Sequence, residues 1–133
     1  MNRDTYRAIE GFMQRCMNDS AHDREHIYRV LYAALDIART EEGADLDILV
    51  AACLLHDIGR EDQFRDQRLC HAEVGSRKAR DFLLELGWDQ ARADWVSNCV
   101  LTHRFRSDRP PVSLEAKILF DADKLDVTGA IGI

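Results

Sequence analysis

A chain of 133 residues can bury one real hydrophobic core, and 46% hydrophobic and 32% charged residues with two prolines is the composition of an ordinary globular protein. The net charge of −6 argues against extended nucleic-acid binding, which takes an excess of Lys and Arg, but leaves room for a small phosphate ligand held by a metal or a few local cations. No apolar run is long enough for a bilayer, the charged start MNRDTYRAIEGF has no signal-peptide core, and Cys16, Cys53, Cys70 and Cys99 form no CxxC pair, which together predict a cytoplasmic protein with reduced cysteines and no membrane partner.

Helix follows helix along the chain. Residues 3–17 form the first, with Tyr6, Ile9, Phe12 and Met13 as its apolar set. NDSAHD breaks it, and a second helix over 24–41 carries Ile27, Val30, Leu31, Ala34, Leu35 and Ala38 at helical spacing. Asp45 or Asp47 can cap the third, 46–57, whose buried stripe reads as Leu46, Leu49, Val50 and Cys53. Residues 58–70 are polar and aperiodic, a loop. The fourth helix, 71–86, stops at Gly87, and Asp89 caps the fifth, 90–103. Pro110 and Pro111 fix a further loop. Ser113 can cap the sixth helix, 114–126, where Glu115 suits the positive end of the helix dipole. No segment alternates as a strand. The prediction is an all-α compact bundle of about six helices in a single domain over 1–133, with no repeat or linker. The apolar ending DVTGAIGI reads as a piece of a longer chain, truncated at its C-terminus.

The five histidines then stand out. His56 lies i+3 and Asp57 i+4 from Cys53, so the two straddle the buried line at the end of the third helix. His26 precedes Val30 by one turn on the buried side of the second helix, and His22 lies one turn earlier. His71 is in phase with Ala79, Phe82 and Leu86. His103 follows Cys99 and Val100 by one turn. Each alone is a satisfied core histidine. Together, four histidines and an aspartate at the buried edges of four helices cost too much for packing alone, and a metal would pair with all of them. Imidazole with carboxylate suits Mn, Fe, Co, Ni or Zn, with Mg also admissible. Among Asp121, Asp123 and Asp126 of the last helix, spacing does not choose an inward-facing residue.

These residues resemble the HD superfamily of metal-dependent phosphohydrolases, whose pattern is a His, a His-Asp pair and a distant Asp on an all-α fold. HDREHIYRV (22–30) resembles the first motif, LLHDIGR (54–60) the second and DADKLD (121–126) the last. The resemblance implies that His26, His56, Asp57 and Asp123 hold a divalent ion such as manganese. His71 and His103 stand where two-metal members place ligands of a second ion; contact with a phosphate is the other use for them. Some HD nucleotide hydrolases carry a catalytic Glu three residues after the signature Asp. Here that position is Arg60, and Glu61 and Asp62 follow as stand-ins. The substrate implied is small and phosphorylated, a nucleotide being favoured, with His22, Arg29, Arg60 and Lys124 as its contacts; the oligomeric state is open. The competing readings are a di-iron HD oxygenase that cleaves an organophosphonate, a non-catalytic nucleotide- or metal-binding sensor, and, least favoured, a metal-free structural protein.

Overall fold

The structure is a computed structural model that describes residues 1–17, 21–60, 62, 66, 68, 70–104 and 110–127; for 21, 22 and 127 it describes the backbone alone. Among the described residues six helices follow in chain order: α1 (Arg3–Cys16), α2 (Ala21–Ala38), α3 (Leu46–Leu55), α4 (His71–Glu85), α5 (Gln90–Leu101) and α6 (Leu114–Val127). There is no strand among the described residues, and no helix there is long and apolar enough to cross a membrane. The architecture is the expected all-α compact bundle.

Helix starts follow local chemistry. Asn2 accepts from Thr5 N–H at 2.8 Å, Asp45 from Ile48 at 3.2 Å, Asp89 from Arg92 at 2.8 Å and Ser113 from Ala116 at 3.1 Å, each satisfying a donor that the first turn leaves open. Gly43 and Gly87 follow α2 and α4 with φ of 91° and 102°, the left-handed backbone that glycine adopts without a Cβ penalty.

α3 is the centre. It packs against α1, α2, α5 and α6, while α4 lies on α5. Ile48, Leu49 and every residue from Ala51 to Leu55 are fully buried. The stripe expected for this helix is therefore wrong in kind: Leu46 is 52% exposed, and ILVAACLL, which has no polar face to offer water, is buried at every position but the half-buried Val50. Leu125 of α6 is also exposed. α2 begins and ends three residues earlier than its periodicity suggests, and Arg60 and Asp62, expected in a loop, have helical backbone.

Glu115 does more than complement a dipole. It is buried, and its carboxylate accepts from the Asp45 backbone N–H at 2.8 Å and from Trp95 Nε1–H at 3.0 Å, tying the starts of α3 and α6 to α5. Arg92 closes the same corner on the Asp45 carboxylate at 2.9 Å. At the opposite end of α3, Gly59 crosses α4 at backbone contact. A Cβ there would lie 2.1 Å from the His71 carbonyl oxygen and 2.6 Å from Gly75 N. Neither atom belongs to a flexible side chain, so the crossing needs glycine for space, its φ being negative-side and ordinary.

Gly59→Ala should therefore destabilise the protein by about 3 kcal/mol or more, the upper range for overpacking, because two backbones must part. Urea denaturation measures it; a loss under about 1 kcal/mol, the level of a tolerated swap, would mean that the crossing is loose.

Candidate metal centre

The crossing at Gly59 brings helix ends together. His56 caps the C-terminus of α3 and Asp57 follows it; His71 opens α4; His103 lies just past the end of α5; Asp123 sits near the end of α6; His26 comes from α2. Four imidazoles form a row in the order His26, His56, His103, His71, with successive ring centroids 5.4, 5.1 and 5.5 Å apart and edge-on. His56, Asp57, His71, His103 and Asp123 are all buried.

Their donor atoms fall into two sets, each within 4.8 Å of one another: His26, His56 and Asp123, and then Asp57, His71 and His103. Asp57 faces both. Its Oδ2 is 3.7 Å from Nε2 of His26 and 3.7 Å from Nε2 of His56, and its Oδ1 is 3.6 Å from Nε2 of His103 and 4.0 Å from Nε2 of His71. Asp123 Oδ1 closes the first set at 2.9 Å from His26 and 3.6 Å from His56. Ligands about 2.1 Å from a common ion stand roughly 3.0–3.4 Å apart at octahedral or tetrahedral angles, so small shifts would seat a cation.

The chemistry of the donors fits a cation too. His56 Nδ1–H donates to the Cys53 carbonyl at 2.7 Å, and His103 Nδ1–H to that of Val100 at 2.6 Å. Both carbonyls lie in the last turn of a helix, where the ladder N–H groups run out; that of Val100 also accepts the His103 backbone N–H at 3.4 Å. This fixes Nδ1–H on each ring and points Nε2 into the cluster. Neither Nε2 has a hydrogen-bond partner among the described residues, although both are buried, an expensive state for a polar atom that a cation on Nε2 of the neutral ring would relieve.

Charge is distributed unevenly. Burial pushes the Asp57 carboxyl up, but His56, His103 and Arg60 outweigh it and hold the pKa at about 2. Asp123 is also held low, burial being overcome by His26 and His56. Burial pulls His56 down, yet Asp57 and Asp123 lift it to about 9. His103 drops to about 4, through burial and then repulsion from His56. His71 falls as well, by burial with Arg104, Arg60 and His56 acting against Asp57.

The other candidates are dispersed. Arg60 Nη2 reaches Asp57 Oδ2 at 3.4 Å. Arg29 is held by Asp126, through Nε at 2.7 Å and Nη2 at 3.3 Å. Asp62 is paired with Lys78 at 3.0 Å. Lys124 is exposed on α6 next to Asp123, and Asp121 is exposed as well. Glu61 and the side chain of His22 lie outside the described residues. Spacing leaves Asp121, Asp123 and Asp126 open and the resemblance chooses Asp123, so Asp126 is a residue of the site that the sequence does not single out. It accepts from His26 Nδ1–H, on the far side of the ring from Asp123. Its only sequence signal is its position one turn after Asp123.

A helical bundle whose helix ends gather four histidines and two aspartates around a buried centre carries donor sets that could hold a divalent metal. The chain belongs to the HD-domain family: residues 24–128 match the family's HD domain model. It is similar to a predicted HD superfamily hydrolase from an uncultured Thermotogales bacterium, whose crystal structure superposes with a TM-score of 0.78 at 36% identity, over 93% of this chain and 71% of that one. It is also 34% identical over 131 residues to the uncharacterized protein YpgQ of Bacillus subtilis (strain 168), covering 94% of this chain. The chain spans 61% of the length of that relative. HD domains bind divalent metals, so the family and the donor sets agree on a metal-dependent hydrolase family.

The metal-free protein should be most stable near pH 6.5. His56 titrates at about 9 in the folded chain against 6.5 unfolded, so its contribution is complete below 6.5 and is lost as pH rises through 9. His103 titrates at about 4, so its contribution is present above 6.5 and is lost as pH falls through 4. Urea midpoints in excess chelator from pH 4 to 9.5 would test this; a curve rising steadily across that range would contradict it.

Proposed function

We propose that the protein is a metal-dependent phosphohydrolase that cleaves a phosphate ester or phosphoanhydride in a small substrate, a nucleotide being the favoured class. The observation that carries the reading is Asp57: a buried carboxylate whose two oxygens address two separate donor sets, beside two buried Nε2 atoms with no proton partner. His26, His56, Asp57 and Asp123 would hold one divalent ion, and Asp57 with His71 and His103 a second. The hydrolytic part of the proposal rests on family membership.

A divalent ion there supplies Lewis acidity, lowering the pKa of a water and polarising a phosphoryl oxygen. The chain does the rest. Asp57 and Asp123 stay ionised and bring negative charge to the centre. His56 and His103 present fixed lone pairs, and burial keeps competing water out. Arg60, held to Asp57 by one long hydrogen bond, can offer its guanidinium to a phosphate oxygen, and Lys124 lies free at the surface beside Asp123 to join it. Asp62 would have to leave Lys78 before taking a proton.

His56→Ala or Asp57→Ala should lower metal affinity by more than about 100-fold, since even outer residues around metal ligands cost about 10–100-fold, and should abolish hydrolysis. The check is metal content after desalting together with a phosphatase and nucleotide panel run with Mn, Co, Ni and Mg. Metal-dependent turnover retained in either variant would sink the assignment. Tight nucleotide binding by the wild type without turnover under any metal would favour a sensor instead.

The six-donor arrangement also favours a second reading, a di-iron oxygenase acting on an organophosphonate. Anaerobically purified protein would then hold two irons per chain with a Mössbauer signature. One redox-silent ion per chain would remove this reading.

A further inference from the structure

His56 and His103 are oriented by last-turn carbonyls of their own helices, within reach because both residues lie at helix C-termini. His26 has no such resource. It lies well inside α2 (Ala21–Ala38), where nearby carbonyls are taken by the helix ladder. It is also more exposed than the other rings, at 17% of its side chain against 0% for His56 and His103. An isolated imidazole there could rotate or carry its proton on either nitrogen, and half of its rotamers would turn Nε2 away from Asp123 and Asp57.

Asp126 removes that freedom. Its Oδ2 accepts from His26 Nδ1–H, which leaves Nε2 directed at Asp123 Oδ1, 2.9 Å away. The two carboxylates of α6, one helical turn apart, thus divide the two nitrogens of one ring. Asp126 is itself fixed. It is 7% exposed, and Arg29 donates to both of its oxygens from the next turn of α2. Residues 26 and 29 of α2 therefore meet 123 and 126 of α6 as two adjoining rungs.

We propose that Asp126 is the positioning residue for His26, and that Arg29 is its brace and not a substrate cation. A carboxylate in this place holds the Nδ1–H tautomer, raises the basicity of Nε2 and pins the ring plane. Arg29 keeps Asp126 in place with a charge-assisted fork across the α2–α6 contact. The proposal rests on the reading of His26, His56, Asp57 and Asp123 as a metal site.

The test uses the metal alone. Co²⁺ and Mn²⁺ affinities are measured by chelator competition on the full chain, with the visible spectrum of the Co²⁺ form and the metal-free melting temperature recorded beside them. Asp126→Asn should weaken both ions about 10–100-fold and change the Co²⁺ spectrum, while the metal-free protein melts within a few degrees of wild type. Arg29→Gln should weaken them about threefold to tenfold. The double variant should lose no more than Asp126→Asn alone, because Arg29 acts only through Asp126. Asp126→Glu should recover part of the loss. Wild-type affinity and spectrum in Asp126→Asn would overturn the proposal, as would a fall in melting temperature with unchanged affinity, the mark of a purely structural residue. Wild-type affinity in Arg29→Gln would return Arg29 to the substrate. Failure of the wild type itself to bind either ion would overturn the metal reading and this proposal with it, a result distinct from all the others.

Discussion

One constraint governs the centre of this protein: Asp57 must stay ionised at 2% exposure. Burying one carboxylate costs several kcal/mol even after relaxation. An opposite charge about 4 Å away returns about 4 kcal/mol at an effective dielectric of 20. A single cationic neighbour is therefore barely enough, and Asp57 has His26, His56, His71, His103 and Arg60 within 3.4 to 4.0 Å. The histidines cannot all be charged, since they repel one another in a row with centroids near 5 Å apart. In the metal-free protein the conflict is resolved by splitting them. His56, between Asp57 and Asp123, keeps its proton, and His103 gives its proton up. A divalent cation would resolve it differently, by replacing protons with one concentrated charge that the donors of a set can face together.

The fold follows from the need to bring those donors to one point. A histidine at a helix C-terminus can lock its own ring on a last-turn carbonyl, and α3 and α5 both end that way, at His56 and His103. His71, at the start of α4, reaches Asp57 only because the chain crosses α4 at Gly59 with no side chain between the backbones. The other end of α3 is anchored by Glu115, which fixes how α3, α5 and α6 sit relative to each other. Two of the buried acids, Glu115 and Asp57, thus sit at opposite ends of the central helix. Glu115 is satisfied by neutral N–H donors and has a structural task, and Asp57 is surrounded by titratable rings and has a chemical one.

Much of this is legible in the residues. Helix existence follows from the 3.6-residue period and from Asp45, Asp89 and Ser113 as caps, because both signals are local. The inward phase of His26, His56, His71 and His103 is legible for the same reason. Three things are not. Which oxygen of Asp57 faces which histidines depends on the angle at which α4 crosses the chain after α3, a tertiary quantity. The part played by Asp126 depends on the contact of α6 with α2, where His26 and Asp126 are 100 positions apart. The role of Arg29 is invisible for the same reason, since at sequence level a cation near a motif reads as a substrate contact. The stripe expected on α3 failed for a different cause. A periodicity argument assumes a polar face, and Ile48–Leu55 contains none, so its own composition already marks a helix enclosed on every side.

The two donor sets are not equivalent, and the difference has a direction. The first combines Asp123, Oδ2 of Asp57 and a His26 ring backed by the anionic Asp126. The second has one carboxylate oxygen, Oδ1 of Asp57, with two imidazoles, and Arg60 and Arg104 both act to repel positive charge from His71. More negative charge attracts a dication more strongly, so on the metal reading the first set fills first. Filling it also draws on Asp57, the carboxylate that both sets share, which weakens the second set further. Whether His71 and His103 serve a second ion or a phosphate is thus decided by how much of the Asp57 charge remains once the first set is occupied.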